Sequence, residues 1–497
     1  MAERTPSRDA DDEATLHAPT PVSESPRSLG RPAPPLSPSH SHSGLSSPRR
    51  SSDPELEKPS SEPPSLIAAE TSAECDKEAQ RPVPAPADEE VDWPEGGRGW
   101  WVVAGCSMIA AVTFGFQLVW GVFQEYYQNQ MFPDTSPAIL GLLGSIACGF
   151  MFPISVICGK LGDRYGYKRF VITGCIISFI AMLGAAFCTE VWQLFITQGV
   201  LPAFGWGILL PFVMSYPSQW FKRLRALATG LVIAGGSLGG AVASLIIRAM
   251  LTRLGFRNTV LIYSFVHGAV MTLGCFLLKS RAIPGAPKMP KKIVWLDWVI
   301  LKDPLFWSAA MAMMCTCFGY PSPLYFMSTY AEAKIPNLST QAIAVPIAVN
   351  NFASAIGRTL IGRLADRVGV INAFILSVSL SGLSQLLIWQ FVDTYGGIMG
   401  FAIVFGFFGG CFISLAAPMA ASLFGVHNLA TLSGMLLVFN LPGNTAGAPI
   451  FGAILRASGQ QDNWRGAIIF SGMIQIVGVI CICYARFRKA PKLFAVA

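Results

Sequence analysis

Two stretches decide how this chain folds: GKLGDRYGYKRF, Gly159 to Phe170, and GRLADRVGV, Gly362 to Val370. They repeat a glycine, an Asp-Arg pair and a second glycine in the same order about two hundred residues apart, each time between long apolar runs. Glycine lets a backbone turn tightly and lets helices approach closely. An aspartate at the end of an apolar helix is a half-buried charge, which a helix N-terminus or a basic partner must satisfy. Such a loop latches one helix against another. Positive charges at Arg164, Lys168 and Arg169 would also serve topology alone. Topology, however, requires neither the Asp nor the Gly nor their order to recur. The repeat therefore predicts a gate built from Asp163, Arg164, Lys168 and Arg169 in one copy and from Asp366 and Arg367 in the other.

The composition around these loops is that of a membrane protein. Hydrophobic residues make up 52% of the chain and charged residues 13%, outside the range of ordinary soluble domains. A bilayer core of about 30 Å takes about 20 mainly apolar residues per helix. Twelve segments qualify: Trp100 to Gln124, Ala138 to Cys158, Phe170 to Cys188, Trp192 to Tyr216, Ala226 to Ile247, Thr259 to Leu278, Pro304 to Tyr330, Gln341 to Ile361, Ile371 to Phe391, Gly396 to Phe424, Leu429 to Leu455 and Ala467 to Tyr484. The connections after spans 2, 4, 6 and 8 and the C-terminal tail hold nineteen Lys and Arg; the alternate loops hold six. That bias predicts both termini in the cytoplasm. Three of the six, Arg248, Arg253 and Arg257, follow span 5 and run against the trend; a vestibule that attracts ligand is one reading of them.

The longest internal connection, about Lys279 to Asp303, separates six spans from six, and each half carries its Asp-Arg loop after its second span. The expected fold is an all-α membrane protein of twelve transmembrane helices in two six-helix bundles, the plan of an alternating-access transporter. The expected organisation is a cytoplasmic tail at 1–94, an N-terminal bundle at 95–279, a linker at 280–303, a C-terminal bundle at 304–486 and a short cytoplasmic tail at 487–497.

Residues 1–94 are rich in Ser, Pro, Ala and Glu, with 18 acidic against 9 basic residues. Such a composition buries too little apolar surface to offset ordering entropy, so a disordered tail is predicted. No apolar stretch near Met1 resembles a signal peptide. The twelve Cys sit mostly inside apolar runs without CxxC or Cys/His spacing, against both a disulfide framework and a metal site. No phosphate-binding glycine loop with Lys and no nucleophile-base pair in a soluble domain is visible, so neither an enzyme nor a cofactor is expected. The bilayer is an expected partner and nucleic acid is not. Asn337-Leu-Ser339 is a glycosylation sequon on a loop predicted to be external.

The repeated loop resembles the signature of the major facilitator superfamily. Gly159, Leu161, Asp163, Arg164, Gly166, Lys168 and Arg169 fit it nearly in full, and Gly362, Leu364, Asp366, Arg367 and Gly369 fit the weaker second copy. The resemblance covers about Glu95 to the C-terminal tail and implies two helical bundles rocking about a central site. EGGRGWWVV from Glu95 and WFKRLRALATGLVIAGG from Trp220 resemble the approaches to helices 1 and 5 of the monocarboxylate porter family, and the Ser/Pro-rich tail is most similar to fungal members. Drug/proton antiporters of the superfamily usually carry an Arg in helix 4, where this chain has Phe195, and a Pro-containing glycine turn in helix 5, where IAGGSLGG has none.

Intramembrane ionisable residues are functional candidates because they are costly there. The region after residue 94 holds only eleven carboxylates, all in loops or at span ends. The clearest cation is Arg358 in NNFASAIGRTLIG on span 8. Asn351 and Ser354 lie seven and four residues earlier, on the same face at helical spacing. A guanidinium facing a central cavity recognises a carboxylate in bidentate fashion; the plainer reading is an Arg snorkelling to the nearby surface. The resemblance also implies the former, because an Arg on helix 8 binds substrate in the monocarboxylate porters. Those porters pair it with an Asp where this chain has Ser354, and use a helix 1 Lys where it has about Gln117 or Leu118. Tyr325 beside Pro321 and Pro323 on span 7, and Asn440 beside Pro442 on span 11, are further binding candidates. His267 on span 6 is the candidate for proton coupling.

These readings predict a transporter of small organic anions, mono- or dicarboxylates, in the plasma membrane, by symport with H+ or by facilitated export. The alternatives are transport of a larger secondary metabolite or vitamin on the same fold, and a nutrient sensor that binds without translocating.

Overall fold

The computed structural model describes residues 94–135, 137–281, 298–336, 338, 340–426, 428–458 and 463–489. The predicted N-terminal tail, most of the linker, the last residues of the C-terminal tail and the sequon residues Asn337 and Ser339 lie outside them. Every regular element among the described residues is helical, as a bilayer demands, since each backbone polar group must be satisfied within its own segment.

Twelve spans follow in order. They are α1 (Arg98–Tyr126), α2 (Pro137–Tyr165), α3 (Tyr167–Ala185) and α4, which runs through Val191–Leu194, Phe195–Val200 and Leu201–Ser215. A continuous run over Arg225–Leu277 is broken at Gly255, whose φ of 73° ends α5 and starts α6. The second half has α7 (Pro304–Gly319 and Pro321–Lys334), α8 (Thr340–Val368) and α9 (Val370–Leu387). It closes with α10 (Tyr395–Gly409 and Cys411–Phe424), α11 (Leu429–Val438 and Asn440–Ala457) and α12 (Arg465–Lys489). Eight helical runs are long and apolar enough to cross a membrane by themselves. One of these, Arg225–Leu277, contains two spans. The remaining three spans, α7, α8 and α11, are interrupted or diluted by proline and polar residues, which is where a transporter helix departs from a plain anchor.

Two turns of unusual winding lie side by side. Tyr127–Met131, continuing α1, and Phe195–Val200, inside α4, are both π-helical, a form that mostly appears as single turns within α-helices and is frequent at functional sites. The interior is packed with aromatics such as Phe116, Phe123, Trp206, Trp389 and Phe401. Large apolar side chains such as Leu245, Phe276 and Ile480 are more than 60% exposed. In water such a surface would drive association; facing lipid tails it carries no penalty.

Candidate functional site

The repeated loops form two latches, each crossing from one bundle to the other. In the first, Asp163 at the end of α2 sits against the first turn of α11. The Thr431 backbone N–H and hydroxyl donate to its Oδ2 at 2.8 and 2.7 Å, and the Tyr167 hydroxyl donates to its Oδ1 at 2.7 Å. In the second, Asp366 near the end of α8 sits against the first turn of α5 and accepts from the backbone N–H groups of Ala226 and Leu227, at 2.8 and 2.9 Å. Both use the unpaired donors and positive dipole end of a helix N-terminus.

The two glycines of each copy have distinct jobs. A Cβ on Gly159 would stand 2.6 Å from the Ala430 carbonyl oxygen, and one on Gly362 would stand 2.6 Å from that of Ala226, so the first glycine is what lets the bundles touch. The second, Gly166 at φ 93° and Gly369 at φ 96°, turns the chain between helices in a backbone region that residues with a Cβ avoid. Of the basic gate candidates, Arg164 lies over the Tyr165 ring with 5.6 Å to its centroid. Lys168, Arg169 and Arg367 are exposed.

Glu95 belongs to the same construction. Its carboxylate accepts from the backbone N–H groups of Lys222, Arg223 and Leu224 at 2.8, 2.5 and 3.3 Å. Beside it Trp100 packs on Phe221 with ring centroids 4.8 Å apart. The EGGRGWWVV and WFKRLRALATG stretches are therefore one structural unit, in which the segment before α1 caps the start of α5. Sequence reading placed both stretches but missed the Glu95 role; its signal was an acidic residue before the glycine pair.

A cavity of about 1020 Å³ lies between the bundles, lined by α1, α2, α4 and α5 on one side and by α7, α8, α10 and α11 on the other. It runs from buried Arg358 to residues such as Tyr325, which is 65% exposed, and exposed Arg456. It is thus closed at the latch end and open at the other. Arg358 is 7% exposed. Its Nη1 donates to the Ile233 carbonyl of α5 at 3.3 Å and its Nη2 to the Tyr320 hydroxyl at 3.4 Å, both long, while Nε has no partner among the described residues. Among the described lining residues the ionisable groups with charge are Arg358 and Arg456; none is Asp, Glu or His. The field in the cavity is therefore positive.

Four of the binding candidates line this cavity: Arg358, Gln117, Tyr325 and Asn440. Gln117 donates to the Met151 sulfur at 3.8 Å, and the buried Asn440 Oδ1 has no partner among the described residues. Asn351 and Ser354 are buried but are not among the lining residues. Ser354 faces the seam with α10, where a Cβ on Gly410 would stand 2.8 Å from its Oγ and 2.5 Å from Arg358 Nη2. His267 is fully buried inside the first bundle, within 3.0 Å of the Ser178 hydroxyl that Trp206 Nε1 also bonds, and is not a lining residue. Arg248, one of the three arginines read as a vestibule, pairs with Glu125 of α1 at 3.1 Å. The cavity residues that went unremarked from sequence include Gln198 on the π turn of α4, and Trp206.

Two helical bundles around a polar-bottomed cavity, latched at one end by a duplicated loop, define a multi-pass membrane transporter. The family description Major Facilitator Superfamily matches residues 100–350 and 333–495, and the chain belongs to that superfamily. It is similar to the Agnestins efflux protein AgnL12 of Paecilomyces divaricatus, 30% identical over 78% of this chain and 87% of that protein. It is also similar to the Aspyridones efflux protein apdF of Emericella nidulans, 28% identical over 83% of this chain and 84% of that protein. Among solved structures, FucP, the E. coli fucose:proton symporter, in the outward conformation matches with a TM-score of 0.62 at 15% identity, over 78% of this chain and 98% of that one. The human organic anion transporter MFSD10 matches with 0.61 at 12% identity, over 78% and 100%. At those identities the likeness speaks for the fold.

Proposed function

We propose that the protein exports acidic, largely apolar metabolites across the plasma membrane by alternating access, with Arg358 as the anchor for the cargo's acid group. The observation that carries this reading is the buried Arg358 guanidinium, its Nε without a partner among the described residues, at the closed end of a cavity whose described lining holds no carboxylate. A guanidinium in that position prefers a carboxylate, which it grips with two parallel bonds.

Size and lining set the rest of the cargo. A volume of about 1020 Å³ stands at the top of the roughly 300–1,000 Å³ range for pockets that hold drug-sized ligands. Phe116, Trp120, Trp206 and Tyr325 offer aromatic walls. A mono- or dicarboxylate of a few atoms would leave most of that space to water, so a larger secondary metabolite suits it better. The relatives named as efflux proteins support the outward direction. Kinship with the monocarboxylate porter branch rests on the Glu95 and Trp220 stretches, which meet in one unit.

In this reading the basic latch end is cytoplasmic, both termini lie there, and the cavity opens outward. Residues 95–279 and 304–486 are the two moving bodies, and 1–94 and 487–497 are tails. Arg358 also ties the bodies together through the Ile233 carbonyl, so a carboxylate that captures the guanidinium loosens a contact between them.

Purified protein in liposomes tests this with 4-benzylbenzoate and lactate as probes in counterflow. The expected result is exchange of the aromatic acid, little of lactate, and a loss of roughly tenfold or more in Arg358→Gln, the worth of a charge-assisted bidentate contact. Equal exchange of both acids, unchanged by Arg358→Gln, would overturn the reading.

A further inference from the structure

Gln198 has no place in the latches or in the anion contact, yet it is a cavity residue with an unused uncharged donor. It sits on the π-helical turn Phe195–Val200, at 2% exposure, and lines the cavity. Tyr127, fully buried at the start of the other π-helical turn, donates its hydroxyl to Gln198 Oε1 at 2.7 Å. That bond settles which way the amide points. If the amide were reversed, its NH2 would donate to the Tyr127 oxygen and both the Tyr127 proton and the Gln198 oxygen would be left without a partner, a costlier outcome for buried groups than one orphaned NH2. With Oε1 held by Tyr127, Nε2 is left buried without a partner among the described residues. An orphaned buried donor costs free energy in the empty protein, and a ligand oxygen removes that cost.

We propose that Gln198 is a specificity-determining residue that donates a hydrogen bond through Nε2 to a carbonyl or hydroxyl oxygen on the body of the cargo, while Arg358 holds its acid group. This rests on the acidic-cargo reading above. The cargo class it defines is an acid carrying a second, uncharged oxygen acceptor away from the carboxylate. Because Gln198 belongs to the first bundle and Arg358 to the second, such a cargo bridges the two. Both groups stand on π-helical turns, Tyr127–Met131 and Phe195–Val200, a winding that recurs at functional sites. Tyr127 is a positioning residue, acting on the cargo only through Gln198.

The test uses two matched acids, 4-benzoylbenzoate, with a ketone between its rings, and 4-benzylbenzoate, with a methylene there. Binding to the purified full-length protein is measured by calorimetry. The wild type is expected to prefer the ketone by about tenfold, the worth of one well-placed neutral hydrogen bond in a dry site. Gln198→Met should abolish that preference by weakening the ketone alone, and Tyr127→Phe should reduce it in part because the amide is no longer held. If Gln198→Met fails to fold, Gln198→Leu and the wild-type preference itself carry the test. Arg358→Gln should weaken both acids equally; unchanged binding of both in that variant sinks the acidic-cargo reading rather than this one. Equal binding of ketone and methylene by the wild type, or a preference that survives Gln198→Met, overturns the assignment of Gln198.

Discussion

The two latches do one job with different means. Asp163 holds α11 through Oδ2, which accepts from the Thr431 backbone N–H and hydroxyl, while the Tyr167 hydroxyl of α3 braces Oδ1. Asp366 holds α5 through backbone N–H groups alone, because Val370 and Leu227 stand where a hydroxyl would be needed. The second site is supported from another direction: Glu95, from the same bundle as α5, caps the preceding three residues. One helix start is thus held by a single well-served carboxylate and the other by two carboxylates, one from each bundle. The two copies share the charge and the glycines, which the geometry uses in the same way, and differ in the donors around them.

That contrast can be broken by substitution and followed by electron-spin distance measurements between labels at Thr173 and Leu376. Each lies seven residues beyond its loop glycine, Gly166 or Gly369, and both are exposed. Asp163→Asn should have the largest effect, because one oxygen becomes an NH2 that faces existing donors. Loss of hydrogen bonds to a charged group worth about 1.5–3 kcal/mol predicts a shift toward the separated state of roughly tenfold to a hundredfold. Asp366→Asn should move the same distribution less, by about fivefold, since only two backbone bonds are weakened and Glu95 still caps the helix. Equal shifts in the two variants would mean that the hydroxyl donors contribute nothing.

Glu95→Gln should leave the distance distribution nearly unchanged, because its bonds lie within one bundle. It should lower the thermal midpoint of the purified protein by a few degrees through the loss of a cap worth about 1 kcal/mol. A large change in latch distance with an unchanged midpoint would place Glu95 in the gate rather than under it.

The fold and the position of the repeated loops were legible because their signals are coarse or repeated. Twelve apolar lengths, a charge bias between alternate loops and a duplicated motif survive any uncertainty about where a side chain points. Asp163, Asp366 and their glycines could be read from sequence since a half-buried charge and a turn restrict the residue type strongly. The cavity wall was harder. Helical spacing put Asn351, Ser354 and Arg358 on one face, but a bundle helix meets different neighbours at different heights. Gly410 brings α10 against Ser354, and only the long Arg358 side chain reaches past that seam. His267 carries no sign in its neighbourhood that Ser178 and Trp206 would enclose it. Gln198 was invisible because a π-helical turn changes the register of a helix without a characteristic residue.

The central claim is that a cargo acid captured by Arg358 is what loosens the bundles. The most direct test adds 4-benzylbenzoate to protein labelled at Thr173 and Leu376 and compares wild type with Arg358→Gln. The account predicts that the acid shifts the distances in the wild type toward separation and leaves the variant unchanged. The same shift in both, or no shift in the wild type at saturating acid, would contradict it.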